Sequence, residues 1–291
     1  MAGGRASSNV AALALVLILA GAGLGACSKG NSVTAYSGDA GTRAALSQNI
    51  ASLTEVIRSN PNDAGALNVR GTAYGGAGQY DAALQDFTAA LQINPSFHQA
   101  LSNRGLVHLK LGRLPEAERD FSAALGLAPD YGPAHIGRGN VYRLQKQYAL
   151  ALADYDRAIE LNATDAQAHH NRALVYQAQG LHDYALGDFG TAINLDPGSA
   201  ETYHGRALSH VALNNLEKAM SDVDSALAVN PRYAQAWATR GALLERGGDL
   251  QGAYAAYQRA LETQSDNAIA RSGVERIGRQ IPGITASFGF G

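Results

Sequence analysis

The sequence predicts an all-α solenoid built from stacked helix pairs. Three observations carry this. The stretch from Ala64 to Phe97 recurs every 34 residues, in six copies that run to Asn267, and self-similarity at such a period marks a solenoid. Small residues hold fixed places in every copy. With Ala64 as position 1, position 8 reads Gly71, Gly105, Gly139, Ala173, Ala207, Gly241; positions 20 and 27 are alanine throughout, from Ala83 to Ala253 and from Ala90 to Ala260. Breakers hold two further places: Gly78, Gly112, Gly180 and Gly248 in mid-repeat, and Pro95, Pro129, Pro197 and Pro231 near the end.

The physical reading is two helices per repeat, split by a turn. Small residues let the helix axes approach closely. Larger residues at position 24 (Phe87, Phe121, Tyr155, Phe189, Val223, Tyr257) fill the space beside them. Glycine ends the first helix and proline the second. One repeat cannot bury its apolar faces alone, so neighbours must stack. This pattern resembles the tetratricopeptide repeat (TPR) family, which implies a right-handed TPR superhelical solenoid over residues 64–267, divided as 64–97, 98–131, 132–165, 166–199, 200–233 and 234–267.

Ahead of the repeats, residues 1–26 carry one charge, Arg5, and an apolar run from Val10 to Ala20, of signal-peptide length. Leu24-Gly25-Ala26-Cys27 follows. It resembles the bacterial lipoprotein box, in which Cys27 is acylated and becomes the mature N-terminus, an expectation of lipidation and membrane anchoring. Ser28 in place of Asp implies delivery to the outer membrane, facing the periplasm. The competing reading is an ordinary secretory signal that leaves Cys27 as a free thiol. As the only cysteine, Cys27 permits no intrachain disulfide. Residues 27–42 are small and polar, a flexible tether. Residues 43–61 place Leu46, Ile50, Leu53 and Ile57 at helical spacing, with Pro61 in phase with the repeat prolines. This segment reads as a lone second helix that covers the N-terminal end of the stack or docks on another subunit as a homodimer contact.

After the sixth repeat, residues 268–280 form a capping helix with Val274 and Ile277 inward and Arg271, Glu275, Arg276 and Arg279 outward. Residues 281–291 form an uncharged tail with Phe288 and Phe290, laid on the surface or offered to a partner.

Composition narrows the function. Without Arg5, 22 basic residues face 25 acidic ones, which argues against nucleic acid, since that needs a basic face. The chain has no GxSxG, HExxH, CxxC or phosphate-cradling loop with lysine. No stretch outside the repeats is long enough for an enzyme domain, so the expectation is a non-catalytic protein without a cofactor.

Position 7 is arginine in all six copies, and position 23 is aspartate in five. Alone, the arginines suggest an anion ladder. The matched aspartates favour structural ion pairs within each repeat: Arg70–Asp86, Arg104–Asp120, Arg138–Asp154, Arg172–Asp188 and Arg206–Asp222. Arg240 faces Ala256 and must borrow Asp222 or stay free.

The TPR resemblance implies a concave groove lined by the first helices. Carried over, its positions hold Asn68, Gln99, Ser102, Asn103, Asn140, Arg143, Gln167, His170, Asn171, Gln177, Glu201, His204, Gln235 and Glu245. At position 6, Asn103, Gly137, Asn171 and Gly205 alternate; asparagine can pair with an extended peptide backbone, and glycine would leave room for it. The set departs from the TPR type that clamps a C-terminal carboxylate, which wants several Lys, Arg and Asn at these places. His170 and His204, with Glu201 between, suggest a metal or small-molecule sensor as a second reading, but no i, i+4 histidine pair or cysteine supports a metal. A polar groove with some pH response is the plainer expectation. The chain is similar to envelope TPR lipoproteins, NlpI-like adaptors among them. That implies an adaptor for other envelope proteins or peptides in cell-wall, outer-membrane, pilus or secretion assembly.

Overall fold

A computed structural model describes residues 40–281, with side chains from residue 45 onward. The signal segment 1–26, Cys27, most of the tether and the tail from 282 lie outside the described residues.

Among the described residues there are fourteen helices and no strand. The first is α1 (Ala40–Ser59). The six repeats then contribute α2 (Ala64–Gly76) with α3 (Tyr80–Ile93), α4 (His98–Lys110) with α5 (Leu114–Leu127), α6 (Gly132–Leu144) with α7 (Tyr148–Leu161), α8 (Ala166–Ala178) with α9 (His182–Leu195), α10 (Ala200–Ala212) with α11 (Leu216–Val229), and α12 (Ala234–Arg246) with α13 (Leu250–Thr263). The last is α14 (Ala268–Gln280). None of the described helices is long and apolar enough to cross a membrane.

Local chemistry sets these boundaries. Asp63, Asp165, Ser199, Asp249 and Asn267 cap α2, α8, α10, α13 and α14 by accepting hydrogen bonds from backbone N–H groups of the first turn, which satisfies donors that a helix start leaves open. Each first helix ends in a left-handed residue. Gly78, Gly112, Gly180 and Gly248 supply it without strain, with φ between 70° and 86°. Lys146 and Asn214 occupy the same place in the third and fifth repeats at φ 60°, so the turn is kept where the glycine is not. α1 begins at Ala40, three residues before the sequence-based boundary; Ala40-Gly41-Thr42 holds no proline to bar a helix.

Packing follows the repeat. Each helix pair is the tightest contact in the molecule, and each second helix packs on the next first helix. Adjacent first helices also touch, whereas second helices of neighbouring repeats do not approach comparably. The first helices therefore form the inner, concave layer. Ala83, Ala117, Ala151, Ala185, Ala219 and Ala253 are fully buried between the layers, as are Phe87, Tyr155, Phe189 and Val223. Burying one such aromatic ring contributes roughly 1.5–3 kcal/mol. At the C-terminal end, Ile277 is fully buried and Val274 partly, against Tyr257 and Tyr254, while Arg271, Glu275, Arg276 and Arg279 are exposed.

Candidate partner-binding groove

The arginines of position 7 lie behind the concave face. Nε and Nη2 of the first five donate to both carboxylate oxygens of the aspartate sixteen residues later. The distances are 2.7 Å for Arg70–Asp86, Arg104–Asp120 and Arg172–Asp188, 2.8 Å for Arg138–Asp154, and 2.9 and 2.6 Å for Arg206–Asp222. These aspartates are buried. Burial pushes the Asp154 carboxyl upward, but hydrogen bonds from Arg138 and His135 outweigh it and hold the group below its ordinary range. With their charge matched, the arginines form ion pairs rather than an open anion ladder.

A second partner was not foreseen from the sequence. In every position-7 arginine but Arg206, Nη1 reaches sixteen residues back, to the preceding helix of the outer layer. Arg70 donates to Thr54 at 3.1 Å, Arg104 to Thr88 at 3.5 Å, Arg138 to Ser122 at 3.5 Å and Arg172 to Asp156 at 2.7 Å. These arginines are thus staples between neighbouring units of the stack. Arg240, expected to borrow Asp222 or stay free, instead pairs with Asp224, its equivalent partner on the preceding helix. Thr54 shows that α1 joins the stack in register as a second helix. Arg206 lacks this bond, because its place is taken by Gly190.

On the concave face, the alternation at position 6 has a different cause from the one expected. A Cβ on Gly205 would lie 2.7 Å from Cζ of Phe189, and one on Gly137 would overlap the ring of Phe121. These glycines make room for the aromatic ring of the preceding repeat, not for a ligand backbone. The asparagines are not open posts either. Asn103 is 4% exposed, and its Nδ2 donates to Asn68 Oδ1 at 3.1 Å and Thr72 Oγ1 at 3.3 Å. Asn171 is 7% exposed, and its Nδ2 has no hydrogen-bond partner. Ser102 is also buried.

The other groove residues divide into tied and open. Asn140 accepts from the Tyr155 hydroxyl at 2.8 Å. Gln177 donates to the Gly205 carbonyl and to Ser209 Oγ, both at 2.9 Å. Gln235 donates to Gln264 Oε1 at 3.3 Å. Glu245, expected from the sequence as a groove residue, is closed off by the last helix: it accepts two bonds from Arg276 at 2.6 Å and one from Tyr257 at 2.9 Å. Gln99 is half-buried, and Gln167 and Glu201 are exposed. Apolar side chains that sequence reasoning left out share this face: Leu208 is 39% exposed, and Ile269 of α14 is 60% exposed. Ile269 borders an open cavity of about 610 Å³ with Ala242, Glu245, Tyr257, Ser272 and Arg276. Leu208 and Ile269 sit at positions 9 and 2 of their repeats, the signal that would have found them.

His170 and His204 do not converge. His170 Nδ1 shares a hydrogen bond with Thr202 Oγ1 and His204 Nε2 with Thr239 Oγ1, each at 2.9 Å. Their rings meet Phe189 and Tyr233 edge-on. Burial lowers both to about 4; Arg143 adds to the fall at His170, and Glu201 opposes it at both. Both are therefore neutral near pH 7. Among the described residues, no group of three His, Cys, Asp or Glu is placed to hold a metal ion.

Comparison with known proteins agrees with this geometry. The tetratricopeptide repeat profile matches residues 50–96, 68–132 and 204–268, and a related TPR repeat profile matches 139–180. No curated protein matches the chain at a significant level. Among solved structures, the APC/C hetero-tetramer Cut9–Hcn1 aligns with a TM-score of 0.73 at 14% identity over 80% of this chain. This chain spans only 46% of that one. A tetratricopeptide repeat protein from Parabacteroides merdae aligns at 0.63 and 22% identity over 81% of this chain and 93% of its own. PilF of Pseudomonas aeruginosa aligns at 0.64 and 16% identity over 75% and 97%. At these identities the likeness is one of fold. With one profile matching just over half its length, the chain belongs to the tetratricopeptide repeat family, whose folds are scaffolds that bind other proteins or peptides.

Proposed function

We propose that this protein is a non-catalytic adaptor of the bacterial envelope, lipid-anchored through Cys27 at the outer membrane. On this reading it binds other envelope proteins or extended peptides in its concave groove. The observation that carries the binding reading is the composition of the inner layer. It combines exposed apolar side chains, Leu208 and Ile269, with polar heads such as Arg143 and Gln167 along one continuous face. Exposed apolar surface rimmed by polar groups marks an interaction site. The anchor rests on Leu24-Gly25-Ala26-Cys27 after an apolar run.

A photo-crosslinking residue at Leu208, used in intact cells, should capture a defined envelope protein, and one at Tyr184 on the second helix of the fourth repeat should not. Equal capture from both positions would move the binding surface off the groove. Cys27→Ser should shift the protein from the membrane to the soluble fraction; a wild-type protein without lipid would end the anchored reading.

A further inference from the structure

Two donors on the concave layer are buried and have no partner: Nε of Arg143 and Nδ2 of Asn171. No carboxylate pairs with Arg143 among the described residues, in contrast to the arginines of position 7, all of which are paired with acids. Leaving a buried donor unsatisfied is costly, so two orphans on one layer need an explanation.

The repeat register places them together. Arg143 stands one repeat before Gln177, and Asn171 one repeat before Gly205. Gln177 Nε2 touches the Gly205 carbonyl at 2.9 Å, and by the 34-residue register Arg143 holds the equivalent place relative to Asn171. The position-24 rings Phe121, Phe189 and Tyr257 abut position 6 of the unit that follows, at Gly137, Gly205 and Gly273; in the repeat register Tyr155 holds the equivalent place relative to Asn171. The Tyr155 hydroxyl spends its proton on Asn140. His170, beside Arg143, is held by Thr202. What remains is Nε of Arg143, whose guanidinium otherwise bonds the Tyr155 hydroxyl, and the amide N–H of Asn171, both without an acceptor, in the third and fourth of six repeats.

We propose that Arg143 and Asn171 form a subsite for an acidic side chain within an extended peptide, a reading that rests on the groove function above. A planar guanidinium matches a carboxylate fork, and the Asn171 amide supplies a further donor. The place is mid-groove, with inner-layer surface on both sides, which suits an interior Asp or Glu rather than a chain terminus. A single cation suits a carboxylate better than a phosphate dianion. Leu208, in the next repeat, offers an apolar contact to residues flanking the acid.

The test uses the full chain and acetylated, amidated peptides of sequence Ala-Leu-Ala-X-Leu-Ala-Ala, read by fluorescence anisotropy. X is Glu, Asp, Gln, Asn, Lys or phosphoserine. Wild type should bind the Glu or Asp peptide at least tenfold tighter than its amide counterpart. Arg143→Gln should erase that difference, so that the Glu and Gln peptides bind alike. Asn171→Asp, which supplies an internal carboxylate, should erase it as well, and it stands in if Arg143→Gln fails to fold. Binding without an acid preference, a preference that survives in both variants, or tighter binding of phosphoserine would overturn the subsite and leave the groove reading intact. Binding of none of the peptides would overturn the subsite and count against the groove reading too.

Discussion

The ring of Phe189 occupies the space that a side chain on Gly205 would need, with Cζ 2.7 Å from the site of the missing Cβ. Gly205→Ala should therefore overpack the seam between the fourth and fifth repeats. Overpacking costs typically 1–3 kcal/mol, against which alanine recovers about 1 kcal/mol of helix propensity. The net expectation is a loss of about 1 kcal/mol by urea denaturation. Gly187→Ala is the control. It lies on the exposed face of α9 with nothing within 4 Å of its Cβ site, and should stabilise. If both substitutions stabilise, the packing role of Gly205 is wrong.

The same seam lacks a staple. Arg206 bonds Asp222 but finds Gly190 where its equivalents find Thr54, Thr88, Ser122, Asp156 and Asp224. A Cβ at Gly190 meets nothing within 4 Å. Gly190→Ser should restore the bond and stabilise by about 1–2 kcal/mol, combining helix propensity with one hydrogen bond. Gly190→Ala isolates the propensity part. Equal gains from the two would show that no staple forms.

The helix pairs were legible in the sequence because small residues, turn glycines and prolines recur in phase. So were the five Arg–Asp pairs, since both members recur at fixed positions. The inter-repeat staple was missed because its acceptor changes chemistry from Thr to Ser to Asp; only the oxygen is constant. The position-6 alternation was visible but misread. Whether a glycine opens space for a ligand or for a ring depends on the ring of the previous repeat, which sequence spacing does not place. The burial of Asn103 and Asn171 was hidden for the same reason.

Asn103 and Asn171 hold the same repeat position and should behave differently. Asn103 Nδ2 bonds both Asn68 and Thr72, so Asn103→Ala should cost about 1 kcal/mol. The side-chain amide of Asn171 is an orphan donor, so Asn171→Ala removes an unsatisfied group and should be near neutral. Paired chemical denaturation curves decide it. A larger loss at Asn171 would mean that its amide is bonded in solution.

The buried histidines set a pH dependence. His170 and His204 are lowered from 6.5 to about 4, chiefly by burial. The unfolded chain binds more protons between those values, so stability falls as pH drops from about 6.5 toward 4 and levels off below. The two together contribute on the order of several kcal/mol across this window. Burial lowers His108 and His210 too, adding in the same direction. Asp154, held below its ordinary value, acts later: its contribution is present above about 3.8 and lost as pH falls through its folded value. Thermal melts of wild type and of His170→Gln with His204→Gln should diverge in slope between pH 6.5 and 4. Parallel slopes would mean that neither ring resists protonation.

The arginine staples should rank by what each loss strands. Arg104→Ala leaves Asp120 buried without a hydrogen-bond donor, since His108 Nε2 stands 3.9 Å away. Breaking a buried pair this way costs about 3–5 kcal/mol, and the partial exposure of Arg104 places the expectation near 3. Arg138→Ala leaves Asp154 with His135, whose Nδ1 lies 2.8 Å from the carboxylate, so about 1–2 kcal/mol is expected. Arg240→Ala removes only a pair with half-exposed Asp224; surface pairs contribute about 0–1 kcal/mol. Urea midpoints on the three variants should fall in that order. Equal losses at Arg104 and Arg138 would show that His135 does not support Asp154. A large loss at Arg240 would mean that the bond to the preceding repeat, rather than the bond to the buried aspartate, holds the stack together.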